Sequence, residues 1–253
     1  ARKQDGETVM SLHDVRTWGA HGISLDVRAG EVLGVAGLVG SGKSRLWRGV
    51  LGLQPLLAGR VVVKGRDVTG KLTRKLLDEG IFYLPPDRKN EGLQMTASAR
   101  DNIALTLLGR ADVSGPMGFV SPGRVRRLAA EIGQRVDISP DYMKRAVVNL
   151  SGGNQQKVLF GKGFGRDREV YIFDEPTVGV DMGTRAALYR LVKEIAEAGK
   201  AVVLISSDLP EVMNLAHRLL VFSQGRISAE LEGRSITEEN VLKHFFTDAR
   251  VSA

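Results

Sequence analysis

A strand that runs directly into a glycine-rich turn, and from there into a helix, constrains this chain more than any other feature. The residues are EVLGVAG (31–37), LVGSGKS (38–44) and RLWRGVLGL (45–53). Gly37, Gly42, Lys43 and Ser44 satisfy the pattern G-x-x-x-x-G-K-[ST] in its expected setting, strand before and helix after. Glycines let the backbone curl so that successive N–H groups point inward, and the following helix adds the positive end of its dipole. Such a turn suits the β- and γ-phosphates of a nucleotide. Lys43 would reach the same phosphates, and Ser44 would offer its hydroxyl to Mg²⁺. The candidate phosphate-binding residues are Gly37, Leu38, Val39, Gly40, Ser41, Gly42, Lys43 and Ser44.

The rest of the chain extends this unit into an alternation. TVMSLHDV, ISLDVRAG and EVLGVAG read as three short strands separated by glycine-containing turns. GRVVVKGRDV reads as one further strand, and IFYLP as a short buried strand stopped by Pro85 and Pro86. From residue 90 to about 165 the pattern is helical, with breaks at GRADVSGPMGF and DISPD. Then EVYIFDEP (strand), GTRAALYRLVKEIAEAG (helix), KAVVLISSD (strand), LPEVMNLAH (helix) and RLLVFSQGRI complete the alternation. Strands with little polar interruption, alternating with helices, predict an α/β fold whose parallel sheet is covered on both faces.

Composition sets outer limits. With 253 residues and 43% hydrophobic content the chain can bury a full core. It has no cysteine, which removes disulfides, Cys-ligated zinc and Cys nucleophiles and suits a reducing compartment. No run of 18 apolar residues is present to span a membrane. The chain opens ARKQDGETVM, without an initiating Met, which leads us to expect a piece of something longer. The formal charge of +7 allows nucleic acid, anionic lipid or nucleotide as a partner, or simply a solvated surface. The arginines are spread along the chain and not gathered with aromatics, which argues against nucleic acid.

Two further stretches carry chemistry. In VYIFDEP four apolar residues place Asp174 at the C-terminal tip of a buried strand, where open α/β sheets bind ligands. Asp174 is a candidate metal holder beside Ser44, and Glu175 is placed to polarise an attacking water. In NLSGGNQQKV, Ser151 caps a helix and two glycines leave its first N–H groups exposed, a second anion site. One compact subunit cannot easily bring both devices to a single nucleotide. Two subunits facing head to tail can, each lending its second device to the other.

At this point the sequence closely resembles the ATPase subunits of ABC transporters. GLVGSGKS is similar to their Walker A motif, VYIFDEP to Walker B, LSGGNQQKV to the signature motif, and VGVD, ending at Asp181, to the D-loop. Within the family, LSGGNQQK, VAGLVGSGKS and PDRKNEGL resemble the second half of the tandem ATPases of ribose-, galactose- and xylose-type sugar importers. The resemblance implies a P-loop NTPase core with a mostly parallel sheet, an N-terminal antiparallel β-subdomain and an inserted α-helical signature subdomain. It places the core at about 8–85 and 166–230 and the helical part at about 90–165, within one ATPase domain covering 1–253. It implies ATP and Mg²⁺ as ligands and a second ATPase half and membrane permease subunits as partners, with a periplasmic sugar-binding protein acting indirectly. The location it implies is cytoplasmic, on the inner face of the membrane. Trp18, about 25 residues before Lys43, lies where an aromatic ring stacks on adenine. Ser151, Gly152 and Gly153 would contact the γ-phosphate bound by the opposite half, Asp181 would couple the two sites, and Leu84 to about Asn102 would dock on the membrane subunit.

Two departures from the family pattern stand out. Where the family has a Gln after the strand IFYLP, this chain has Pro86; either Asp87 substitutes or the contact is missing. Where most members have a His after VVLI, this chain has Ser207, the second candidate catalytic residue beside Glu175. A neutral hydroxyl bonds more weakly than an imidazole of positive character. Loss of an acid–base helper costs on the order of 10² to 10⁴ in rate. Three readings are open: a hydrolysing site that is slow or works only when paired, a regulatory half that clamps ATP without turning it over, and a soluble ABC ATPase unconnected with transport.

Overall fold

The computed structural model describes residues 6–114 and 119–245. Part of the predicted break at GRADVSGPMGF lies outside them. Alternating burial carries β1 (Thr8–Thr17) and β2 (Ala20–Arg28), whereas β3 (Val32–Gly37) is buried at every position. That contrast separates a sheet with one wet face from a central strand covered on both faces. After α1 (Lys43–Val50), the stretch expected to be one strand is a hairpin of β4 (Ala58–Val63) and β5 (Arg66–Asp67). Its two turn residues, Lys64 at φ 50° and Gly65 at φ 73°, both adopt the left-handed conformation that matches the twist of paired strands. The chain continues through α2 (Thr73–Asp78), which no side chain caps, to β6 (Ile81–Leu84), which stops where two prolines remove the ladder donors.

The predicted helical stretch consists of α3 (Ala99–Leu107), α4 (Pro122–Arg135), α5 (Pro140–Met143) and α6 (Gly152–Gly163), preceded by a π turn at Arg88–Gly92. Next come β7 (Val170–Asp174), α7 (Met182–Glu197), β8 (Ala201–Ser206) and α8 (Leu209–Leu215). RLLVFSQGRI holds all of β9 (Arg218–Ser223), the turn Gln224–Gly225 and the start of β10 (Arg226–Glu232), a second hairpin, after which α9 (Glu238–Phe245) closes the described chain.

Among the described residues the strands form two sheets. One is antiparallel, in the order β2-β1-β4-β5; the other has six strands in the order β10-β9-β3-β8-β7-β6. In the larger sheet β3, β7, β8 and β9 run parallel, and β10 adds an antiparallel edge. This is the mixed α/β architecture expected from the sequence. The chain divides into two compact units. One takes in 6–82, 169–175 and 192–245 of the described residues and holds both sheets apart from the end of β6; the other takes in 83–168 and 176–191. In the second unit Ile103, Leu107, Ala129, Ile132, Val158, Leu159 and Phe160 form a buried apolar core.

One ion pair in the first unit is buried, with a half-exposed third member, Glu230. Arg218 is 4% exposed and Glu31 3%, and the two share a bidentate bridge, Nε to Oε1 at 2.7 Å and Nη2 to Oε2 at 3.0 Å. Arg218 also donates to the Asp26 carbonyl at 2.6 Å and to Glu230 at 2.7 Å. Burial by itself would lower the arginine's pKa, but the hydrogen bonds and charges of Glu31 and Glu230 raise it. The cluster ties β2, the entry to β3, β9 and β10 together. Arg218→Met leaves Glu31 buried without a counter-charge, and we expect a loss of about 3–5 kcal/mol, read as a shift in the urea midpoint.

Candidate functional site

Strand register builds the site. Ala36 of β3 stands opposite Ser206 of β8, and Asp174 of β7 opposite Ile205 of β8, so three neighbouring parallel strands end level with one another. Residues at and just past the strand ends therefore meet at one edge: Lys43 and Ser44 after β3, Asp174 and Glu175 at the end of β7, Ser207 after β8. β7 is buried at all five positions, and tilted and edge-on contacts among Phe82, Tyr171 and Phe173, with ring centroids 5.9 to 6.4 Å apart, wedge it in place.

The glycine turn can be made only with these residues. Gly42 has φ 99°, and a Cβ on it would lie 1.8 Å from the carbonyl oxygen of Gly19. Gly40, at φ 85°, has open space around it. The helix α1 that follows has no side-chain cap and no acid in its first turn, so its leading N–H groups and dipole face the turn. Leu38 and Val39 are exposed at the loop crest, while Gly37, Ser41 and Gly42 are buried beneath it.

Five side chains close a network around this turn. The Ser44 hydroxyl donates to Asp174 Oδ1 at 2.8 Å, and Asp174 is fully buried. Lys43 Nζ donates to Ser207 Oγ at 2.8 Å and lies 3.3 Å from Glu175 Oε1. Ser207 in turn holds both carboxylate oxygens of Glu175, by its hydroxyl at 2.7 Å and its backbone N–H at 3.1 Å. Glu175 has φ 50°, a conformation that a non-glycine residue adopts at a cost of about 1–3 kcal/mol. Its backbone N–H donates to Ile205 O at 2.8 Å, which fixes the turn.

A hydroxyl beside a carboxylate is a hard-oxygen donor pair that suits Mg²⁺. No group of three or more His, Asp or Glu able to hold a metal alone is found among the described residues. Mg²⁺ is commonly held by one or two protein oxygens together with waters and phosphate oxygens, so the Ser44–Asp174 pair fits it. Trp18 is 67% exposed and lines a cleft of about 350 Å³ with Arg45, Gln54 and Pro55. Arg45 donates to the Trp18 carbonyl at 3.2 Å, which links the indole-bearing turn to the first turn of α1.

The second unit holds the other predicted residues. Ser151 caps α6, accepting from Asn154 N at 3.3 Å. Asp181 accepts from the backbone and hydroxyl of Thr184 at 2.9 and 2.8 Å, bonds that hold its carboxyl below the usual range. Both signature glycines are needed for close approach. A Cβ at Gly152 would lie 2.8 Å from Gly179 O, and one at Gly153 would lie 2.4 Å from Thr184 Oγ1. Asp87 caps the π turn: Oδ1 accepts from Lys89 N and Asn90 N at 3.1 Å each, and Oδ2 from Asn90 Nδ2 at 2.7 Å. Those bonds, led by the one from the Asn90 side chain, lower its pKa and occupy both oxygens.

The sequence profile described as "ABC transporter" matches residues 20–178, more than half of the chain. The chain belongs to the ABC transporter family. Among curated members it is 41% identical over 221 residues to the ribose import ATP-binding protein RbsA 2 of Agrobacterium fabrum, covering 87% of this chain and 43% of that protein. It is 40% identical over 242 residues to the ribose import ATP-binding protein RbsA 1 of Streptomyces avermitilis, covering 95% and 46%. The chain thus spans about half the length of the curated relatives it matches. Among solved structures, the fold matches MJ1267, an ATP-binding cassette of an ABC transporter, with TM-score 0.79 at 23% identity, over 95% of this chain and 100% of that one. It also matches dimeric MJ0796 bound to ADP and Pi, with TM-score 0.77 at 22% identity, over 88% and 98%.

Sequence reasoning missed Arg88, which lies within the PDRKNEGL segment and whose contacts lie 67 and 90 residues away. It also missed Arg45 as the support of Trp18. The glycine turn yields a direct test. Gly42→Ala meets both strain and backbone collision and should cost more than about 2 kcal/mol, whereas Gly40→Ala should cost about 1 kcal/mol, both read by denaturant unfolding.

Proposed function

We propose that this chain is the MgATP-binding and hydrolysing half of a longer protein that powers sugar import through membrane permeases. The observation that carries this reading is the meeting of Lys43, Ser44, Asp174, Glu175 and Ser207 at the level ends of three parallel strands. The names of the relatives supply the sugar. The half-length match supports a tandem architecture with two ATPase halves. No described helix is long and apolar enough to cross a membrane, which fits a subunit docked at the inner face.

Each side chain has a role that follows from its bonds. The glycine turn and the uncapped end of α1 wrap the phosphates with N–H donors, and Lys43 sets a positive charge against them. Trp18 offers its exposed face to the base, and stacking on a ring tolerates any purine. Ser44 and Asp174 would hold Mg²⁺, which supplies charge neutralisation at the phosphate oxygens. Glu175 orients the attacking water and accepts its proton. Ser207 keeps that carboxylate aimed through two bonds, one of which needs no side chain. The signature turn Ser151–Gly153 serves the nucleotide of an opposing half, and Asp181 couples the two sites. The work is positioning and charge rather than covalent chemistry.

A second reading has one observation in its favour. Asp87, the candidate substitute for the missing Gln, spends both carboxylate oxygens on its own turn. A half lacking that contact and carrying Ser207 in place of His would clamp ATP and leave turnover to its companion. Glu175→Gln separates the two. Under the hydrolytic reading, transport-coupled ATPase turnover of the assembled protein falls on the order of 10²-fold or more; under the regulatory reading it is unchanged. Shared sites also predict that turnover per molecule of this half rises with protein concentration. A rate both high and independent of concentration would overturn the composite-site mechanism.

A further inference from the structure

The guanidinium of Arg88 occupies the junction between the signature turn and the loop that leads to Asp181. Its Nη1 donates to Val178 O at 2.8 Å, and its Nε donates to Gln155 Oε1 at 3.3 Å. Gln155 is itself fixed. It is 5% exposed, and its amide nitrogen donates to the carbonyls of Val147 and Leu150 at 3.2 and 3.1 Å, which turns its oxygen toward the arginine. The remaining nitrogen, Nη2, comes within 3.0 Å of where a Cβ on Gly152 would sit and within 3.4 Å of one on Gly179. The arginine therefore packs against one glycine of each loop while bonding to both elements.

The segment that carries Arg88 is held at its far end too. The π turn starts on the Asp87 cap, and at its close Gly92 O accepts from Lys162 Nζ at 2.5 Å. Lys162 is a half-buried lysine whose ammonium is disfavoured by desolvation, so this carbonyl bond matters to it. A Cβ on Gly92 would lie 2.9 Å from Leu159. The turn is thus clamped to α6 near the helix's start, through Gln155, and near its end, through Lys162. A cation at a helix N-terminus opposes the dipole. Its placement there is accounted for by the two acceptors it joins.

We infer that Arg88 is a positioning residue for the ATPase reaction: it locks the Val178–Gly179 turn to the start of α6 and so fixes where the glycines of Ser151–Gly153 stand when they meet a phosphate. This rests on the reading that the signature turn serves the nucleotide of an opposing half. Only a planar fork reaches both acceptors at once, so charge alone does not replace it. A displacement of the order of 1 Å at such a contact costs up to 10²-fold in rate.

The test uses the full-length protein that contains this chain, with Arg88→Met and Arg88→Lys compared against wild type. Three quantities are read: kcat and KM for ATP, ATP affinity in EDTA from quenching of tryptophan fluorescence, and the melting temperature. Both variants should lose about 10- to 100-fold in kcat, with KM, affinity and melting temperature close to wild type. Full turnover in either variant overturns the inference, since it would make the fork dispensable or reduce it to its charge. A loss of rate that tracks a loss of melting temperature or ATP affinity overturns it as well, because it marks a general structural role. If Arg88→Met does not fold, Arg88→Lys, which keeps stem and charge, carries the same expectation. The composite-site reading is checked separately on the wild-type half alone, by the dependence of its turnover on protein concentration, so a failure there is distinct from a failure in the full-length variants.

Discussion

A buried ammonium must have an anion, and much of the candidate site follows from that need. Lys43 is 4% exposed, and Glu175, 3.3 Å away, provides its counter-charge. Leaving either charge alone in the interior would cost several kcal/mol. The pairing also determines how the site responds to phosphate. An anion presented to the glycine turn competes with Glu175 for the lysine. Glu175 then keeps its place only because Ser207 holds both its oxygens by other bonds. A serine at this position is thus more than a lost imidazole: its hydroxyl accepts from the lysine and donates to the glutamate at once.

That arrangement depends in turn on the sheet. Three neighbouring strands must end at one level, or the residues behind them would not meet. Parallel pairing of β3 with β8 and of β8 with β7 provides the level, and complete burial of these strands keeps their register from slipping. Away from the site, the Arg218–Glu31 cluster fastens the opposite stretch of the same sheet to β2. The chemistry uses only short loops, and the rigidity comes from strands that carry no functional side chain until their last residue.

Much of this was legible in sequence because the signals are local. The glycine spacing, the apolar run before Asp174 and the serine cap of α6 each sit within about ten residues of the groups they organise. The turn chemistry was harder. GRVVVKGRDV reads as one strand unless Lys64 is granted a left-handed backbone, which a lysine seldom adopts; the adjoining Gly65 is the only hint. α2 was missed because Leu72 stands where a capping side chain would announce a helix. Arg88 and Arg218 were not legible at all. Apart from Glu230, 12 residues from Arg218, their partners lie 67 to 192 residues away, and nothing in an isolated arginine tells which carbonyls it will find. For Asp87 the sequence left two outcomes open, a substitute for the Gln or a missing contact; its carboxylate caps the π turn through Lys89 and Asn90, a role the motif gave no sign of.

The backbone of Glu175 has an implication of its own. At φ 50° the residue sits where glycine would rest without strain, yet only its carboxylate can serve Lys43 and Ser207. A glycine there would relieve about 1–3 kcal/mol of backbone strain but would strip the buried Lys43 of its counter-charge, which costs about 3–5 kcal/mol. Selection for heat resistance therefore gains nothing by easing the tip of β7, and the strained backbone is retained by the charge pairing it makes possible.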